Sequence, residues 1–192
     1  SEMVCGDVAV HRHDGLHVRL RKSKTDQEGR GAMKALPYTQ SHETCPPCAY
    51  VRWVQVVAAF DVGGRPSVIR LLRKREPFIE HVCRVGVPRT AARAPLFRAI
   101  AKNGNLGATP LSGAAVHQTI RRRAEHAGYG PSVLSKLGGH SLRAGFVTQS
   151  TRNGADGSAI ARQTGHASLD SVEVYRREHA PLVGNAVNDI GL

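Results

Sequence analysis

The chain has 192 residues, 41% of them hydrophobic, enough for one domain with a sizeable core, and with aromatics at only 5% that core must be mainly aliphatic. Lys and Arg number 27 against 15 Asp and Glu, and the net charge of +12 points to a polyanionic partner, nucleic acid before an anionic membrane surface. No run approaches the roughly 18 consecutive apolar residues of a membrane-spanning helix and no signal peptide is visible, so a cytoplasmic protein without a membrane partner is the expectation.

The first elements in chain order read as a small antiparallel sheet. Val8 and Val10 alternate with polar neighbours, and Asp14-Gly15 is a hairpin signal. Leu16, Val18 and Leu20 then face one way while His17, Arg19 and Arg21 face the other, the period of a half-buried strand. A polar connection from Ser23 to Gly31 carries Lys24, and Met33 to Tyr38 returns as a third strand. Pro46 stands near the start of a helix, where its missing N–H costs nothing. That helix runs through Val51, Trp53, Val54 and Val57 to about Phe60 and is broken by Gly63-Gly64-Arg65-Pro66. Residues 67–94 suggest one or two short helices interrupted at Pro77. Leu96-Phe97 opens another ordered piece that ends at Asn103-Gly104.

Ser112 is a plausible N-cap for a helix through Val116, Ile120 and Ala124 that stops at Gly128. It carries Arg121-Arg122-Arg123; consecutive residues on a helix fan over about 200°, so at most two of them face one partner. Helices are expected from about His140 to Arg152 and from Ala155 to Gln163, and Thr164-Gly165-His166 forms a turn. Ser168 can cap a further helix bearing Leu169, Val172 and Tyr175, and a short terminal helix comes after it over 182–190. The fold class is α+β, mainly helical: a helical bundle with a small three-stranded antiparallel sheet near the N-terminus.

Four cysteines, Cys5, Cys45, Cys48 and Cys83, read as free thiols. Cys45-Pro-Pro-Cys48 invites a zinc reading, but zinc usually takes four ligands from two such pairs. With only one pair, and His42, His81 and Cys83 as loose candidates, the favoured reading is a loop entering a helix with Cys48 packed inside. No metal and no cofactor are expected.

The chemistry concentrates between His140 and Tyr175. His140 and Arg143, three apart on a helix, share a face. The arginine can fork two N–H donors onto phosphate oxygens, and the histidine can donate to another or pass a proton. His166 follows a glycine in a turn, free to face a cleft. Tyr175 can act as a nucleophile only where a cationic site holds a phosphate in line, because its phenol ordinarily ionises at about pH 10. The departing sugar hydroxyl needs a proton, and Lys24 on its hairpin is a suitable donor. Each piece alone is weak.

Taken together, Leu20-Arg-Lys-Ser-Lys24-Thr-Asp, His140-Ser-Leu-Arg143-Ala-Gly-Phe, Thr164-Gly-His166 and Tyr175-Arg176 resemble, in order and spacing, the tyrosine recombinases (phage integrases). The resemblance covers essentially the whole chain, 1–192, as a single C-terminal catalytic domain of that family. It implies site-specific DNA integration or excision through a 3′-phosphotyrosyl intermediate, without ATP. Tyr175 would be the nucleophile and Lys24 the general acid. Arg143 and His166 would bind the scissile phosphate, and His140 would assist proton transfer. Double-stranded DNA is the implied partner, with a homo-tetramer on DNA for a full-length member, a monomer for the isolated piece, and a nucleoid-associated location.

The family's first catalytic arginine precedes a Ser-Glu pair. Ser1-Glu2 opens this chain, so the resemblance places that arginine before residue 1 and makes Glu2 the acidic residue that supports the arginines. The core-binding domain of the family would also lie upstream, so an impaired fragment is expected. Arg121, Arg122, Arg98 and Lys102 are the expected contacts to the DNA backbone. Three other readings compete: a decayed, non-catalytic DNA-binding remnant, a type IB topoisomerase-like DNA relaxation activity, and a zinc-stabilised structural protein around Cys45 and Cys48.

Overall fold

The computed structural model describes residues 3–22, 29–74, 79–166 and 168–179. The chain divides into two compact units, residues 1–111 and 112–192. The described residues are mixed α+β and mainly helical.

The first unit opens with a 3-10 turn, Cys5–Asp7, and a three-stranded antiparallel sheet in the order β1-β2-β3: β1 Val8–His11, β2 Gly15–Leu20, β3 Ala32–Leu36. Val8 pairs with Val18 and Leu16 with Leu36, so the expected alternation sets the register. The β1–β2 turn needs Gly15: its φ is +101°, and a Cβ there would run into the Leu36 carbonyl oxygen. Val8, Leu16, Cys5 and Leu96 form one buried cluster, with Tyr50 and Trp53 of the first helix packed against it. The Trp53 indole donates to the Leu96 carbonyl at 2.6 Å, which fastens this helix to the chain beyond it.

That helix, α1, spans Pro46–Arg73. The expected break is a kink instead. Gly63 (φ −149°) and Gly64 (φ +61°) leave helical geometry, and a second limb resumes through Pro66 to Arg73. Proline costs little there because it lies in the first turn of the new limb. Residues 79–95 carry no helix among those described, contrary to the expectation of helices in 67–94 past Arg73. Gly86 (φ +106°) and two prolines interrupt the stretch. Backbone hydrogen bonds tie it to the N-terminus instead: Cys5 N–H to Ala94 O at 2.9 Å and Gly6 N–H to Ala92 O at 2.8 Å.

Beyond Leu96 the ordered piece is a β-hairpin, β4 Arg98–Ile100 and β5 Leu106–Pro110, turning at Gly104 with φ +81°. Strands of three and five residues are too short for an alternation signal to stand out.

The second unit is helical. It contains α2 Gly113–His126, α3 Pro131–Leu134, α4 Gly139–Arg152, α5 Gly157–Thr164 and α6 Asp170–His179. Ser112 caps α2, accepting the Ala115 N–H at 3.2 Å, and Asp156 caps α5, accepting the Ala159 N–H at 2.9 Å. The core joins α4, α5 and α6 through Val147, Ile160, Ala161 and Val172. The expected terminal helix over 182–190 lies outside the described residues. Among those described, no helix is long and apolar enough to cross a membrane.

Candidate active site

Three elements of the second unit converge on one site, and each is aimed by local sequence. The segment before α4 is pinned by Ser141, whose hydroxyl accepts the Gly138 N–H at 3.3 Å and donates to the Lys136 carbonyl at 3.0 Å. His140 and Arg143 come next, in the first turns of α4, both exposed. Val147 lies seven positions after His140 and therefore nearly below it, fully buried. One face of α4 thus carries chemistry at its N-terminal end and core further along.

His166 is set by the end of α5. Gly165 takes the left-handed conformation, φ +71°, and closes the helix by donating to the Ala161 carbonyl at 2.7 Å. The Thr164 hydroxyl donates its one proton to the Ile160 carbonyl at 2.7 Å. Its oxygen then accepts from His166 Nδ1 at 2.6 Å, which places the imidazole proton on Nδ1 and leaves the Nε2 lone pair outward. Burial, then the Arg143 and His140 charges, hold the His166 pKa below its ordinary value, so the ring is neutral at neutral pH. Sequence reasoning gave Thr164 no role. The hydroxyl two positions before the histidine is the signal that was available.

Tyr175 lies on α6, half-buried, with its ring packed against the Val147–Ile160–Ala161–Val172 cluster. Its hydroxyl stands 3.5 Å from His140 Nε2, and its ring centroid 6.4 Å from that of His166. The core that joins the three helices is therefore also what brings phenol, imidazole and guanidinium to one surface. An exposed arginine beside two imidazoles and a phenol makes a patch suited to a phosphate oxyanion. His140, Arg143, His166 and Tyr175 share this site; Lys24, in the β2–β3 connection, and Glu2 lie outside the described residues.

The four expected DNA contacts differ in their surroundings. In the second unit, Arg122 is exposed on α2, whereas Arg121 donates to the Leu137 and Ser135 carbonyls at 3.0 and 3.2 Å and braces the approach to α4. In the first unit, Lys102 is exposed in the β4–β5 turn. Arg98 is largely enclosed: its guanidinium pairs with Asp61 at 2.6 Å, donates to the Gly107 carbonyl and lies over the Phe60 ring.

A second constellation occupies the first unit. Cys48 is packed inside at the start of α1, as expected, but it is not alone. Cys45, Cys48, His81 and Cys83 present ligand atoms that all lie within 4.8 Å of one another. Sequence reasoning expected no metal-ligating set because only one cysteine pair is visible in the chain. The fold completes a set with a mixed pair, His81-x-Cys83, carried back to the head of α1 after the intervening helix. Burial pushes the Cys83 thiol up to about 12, aided by the Cys48 and Cys45 sulfurs. Burial also opposes ionisation of Cys45, yet the backbone N–H groups of Cys48 and Thr39 bring it down to about 7.

Residues 100–180 match the family model described as the phage integrase family. The chain is 26% identical over 174 residues to an integrase/recombinase xerD homolog of Selenomonas ruminantium, covering 91% of this chain and 41% of that protein. It is 28% identical over 119 residues to the tyrosine recombinase XerD of Xanthomonas axonopodis pv. citri, covering 59% of this chain and 37% of that protein. Against the tyrosine recombinase XerD of Xanthomonas campestris pv. campestris the identity is 33% over 92 residues, 48% of this chain and 26% of that protein. The chain thus spans about two fifths of the length of the first two relatives. No solved structure matches it significantly. The matched segment contains His140, Arg143, His166 and Tyr175, and through it the chain is similar to the tyrosine recombinase, or phage integrase, family.

Proposed function

We propose that the two units together act as the catalytic domain of a site-specific DNA recombinase that cuts and rejoins strands through a 3′-phosphotyrosyl intermediate. The observation that carries this reading is the Tyr175 hydroxyl lying 3.5 Å from His140 Nε2, with Arg143 one turn along the same helix. A tyrosine recruited only for packing has no need of a histidine and an arginine at its polar tip.

In the proposed reaction the Tyr175 oxygen attacks the scissile phosphorus and the bond to the 5′ oxygen breaks. The phenolic proton passes to a histidine, and the 5′ hydroxyl leaves with a proton supplied by Lys24. Arg143 and His166 hold the equatorial oxygens, where charge concentrates in the transition state. Rejoining is the same step in reverse, so no external energy source is required. Double-stranded DNA is the partner, drawn by a net charge of +12, with Arg122 and Lys102 as backbone contacts and Glu2 as the support for the arginines. The working assembly is a homo-tetramer on DNA, formed from monomers off it, acting at the nucleoid in the cytoplasm.

The test uses the chain within its full-length gene product and a pool of random-sequence duplexes nicked so that cleavage releases a short oligonucleotide and traps the intermediate. Protein covalently attached to the 3′ end is expected for the native sequence and none for Tyr175→Phe. An adduct that persists in Tyr175→Phe would falsify Tyr175 as the nucleophile.

A further inference from the structure

We propose that Cys45, Cys48, His81 and Cys83 hold a structural zinc ion that clamps the head of α1 to the segment beyond its end. The geometry comes first. Zn–S bonds of about 2.3 Å at tetrahedral angles put sulfurs about 3.8 Å apart and an imidazole nitrogen slightly nearer. The four ligand atoms already lie within 4.8 Å of one another; His81 Nδ1 stands 3.3 Å from the Cys48 sulfur and 3.8 Å from that of Cys83. Contraction of the longest separation by at most about 1 Å around an ion completes the tetrahedron.

The orientation of His81 is a second, independent observation. Its Nε2 lies 3.1 Å from the Gln40 carbonyl oxygen. A carbonyl only accepts, so Nε2 carries the proton and Nδ1 turns its lone pair toward the three sulfurs. This is how metal-bound imidazoles are usually held, with the remote N–H tied to a backbone carbonyl.

Burial decides the kind of site. Cys45, Cys48 and Cys83 are 1%, 0% and 4% exposed, so no position is left open for a substrate. Three thiolates and one imidazole in a closed pocket describe structural zinc rather than catalytic zinc. A dication also offsets the cost of crowding three buried sulfurs, and the remaining single negative charge lies near Arg84, whose guanidinium sits 5.7 Å from the Tyr38 ring centre beside the cluster.

The consequence for the fold is specific. Residues 79–95 contain no helix or strand, and backbone bonds to residues 3–6 hold their far end. A zinc ion fixes their near end. It closes the long loop of chain from Cys48 through α1 to His81, in the way a covalent cross-link would.

The chain is to be purified under reducing conditions without chelator and its metal content measured by elemental mass spectrometry. About one zinc per chain is expected. Cys45→Ser and Cys83→Ser should each lower that content by about tenfold or more, while Cys5→Ser, a buried cysteine of the neighbouring cluster, should leave it unchanged. Because a ligand variant can misfold, a second measurement uses the native sequence alone: replacement by cobalt(II) should produce the intense visible absorption of a tetrahedral thiolate site, and X-ray absorption should report three sulfur neighbours and one nitrogen. Substoichiometric zinc, an octahedral cobalt spectrum, or equal metal loss in Cys5→Ser would each overturn the assignment. None of these readouts depends on DNA cleavage, so the zinc site and the recombinase reading stand or fall separately.

Discussion

Val147→Ala is the perturbation that most directly asks whether the core of the second unit builds the site. Val147 is fully buried and touches the cluster formed by Ile160, Ala161 and Val172, with Tyr175 packed against it. Truncation removes two methyl groups, about 1.6 kcal/mol of transfer free energy at roughly 0.8 each. A residual cavity of roughly 40 Å³ at about 24 cal/mol per Å³ adds about 1 kcal/mol. The sum, about 2.5 kcal/mol, is a large share of the 5–15 kcal/mol that typically holds a domain together. Val174→Ala on the same α6, at a position 51% exposed, should change stability by no more than about 0.5 kcal/mol. Hydrogen exchange of the α4, α5 and α6 amides reads the second unit separately from the first. Faster exchange in all three helices is expected for Val147→Ala and in none for Val174→Ala. Equal losses, or a Val147→Ala cost below about 1 kcal/mol, would mean that α4 and α6 are not held together through this residue.

Other expectations rest on single residues. His166 titrates below its ordinary value in the folded chain, because of burial and then Arg143 and His140, so the folded state binds fewer protons than the unfolded one. Its contribution to stability is complete above about pH 6.5 and is lost as pH falls through that value toward the folded pKa. Urea midpoints measured from about pH 7.5 to about pH 5.5 should fall more steeply for the native chain than for His166→Asn; parallel curves would remove the argument. Gly15→Ala should cost at least about 2 kcal/mol, since φ is +101° and the new methyl meets the Leu36 carbonyl, and a thermal midpoint near the native one would contradict that register. Arg122→Ala should flatten the salt dependence of DNA binding by about one unit of slope with little change in stability, whereas Arg121→Ala should also destabilise α4 by releasing the Ser135 and Leu137 carbonyls. If the two variants behave alike in a melting experiment, the bracing role of Arg121 is wrong.

The parts of the fold that were legible in the sequence are those whose signal is local. Ser112 and Asp14-Gly15 mark an element boundary by their own chemistry, and the alternation from Leu16 to Leu20 sets the pairing with Leu36. His140 and Arg143 lie on α4, His166 just past the end of α5 and Tyr175 on α6, three successive helices in the chain, so the motif order anticipates their meeting. Elements held by distant partners were not legible. Residues 91–96 bond to residues 3–6, and nothing in either segment names the other. The β4–β5 hairpin is too short for its alternation to be seen. The cysteine cluster shows the same limit most clearly: His81-x-Cys83 has no meaning as a ligand pair until the fold returns it to Cys45 and Cys48.

The hydrogen-bond pattern also constrains how the proposed reaction handles its protons. Tyr175 must lose one proton to become nucleophilic, and the site holds two imidazoles that could accept it. Thr164 commits the His166 proton to Nδ1, so its Nε2 is a bare lone pair in the neutral ring. A bare lone pair repels a phosphate oxygen, so His166 can grip the phosphate only after it gains a proton. Burial and then the Arg143 charge act against that gain until the phosphate arrives and offsets the charge. In the proposed reaction, phosphate binding and protonation of His166 would therefore be coupled, the substrate charging the residue proposed to hold it. His140, 3.5 Å from the Tyr175 hydroxyl, is the nearer acceptor for the phenolic proton. On this reasoning Thr164→Val, which frees the His166 tautomer, should weaken the pH dependence of DNA cleavage while leaving Tyr175 competent to form the adduct; an unchanged pH profile would place the controlling proton elsewhere.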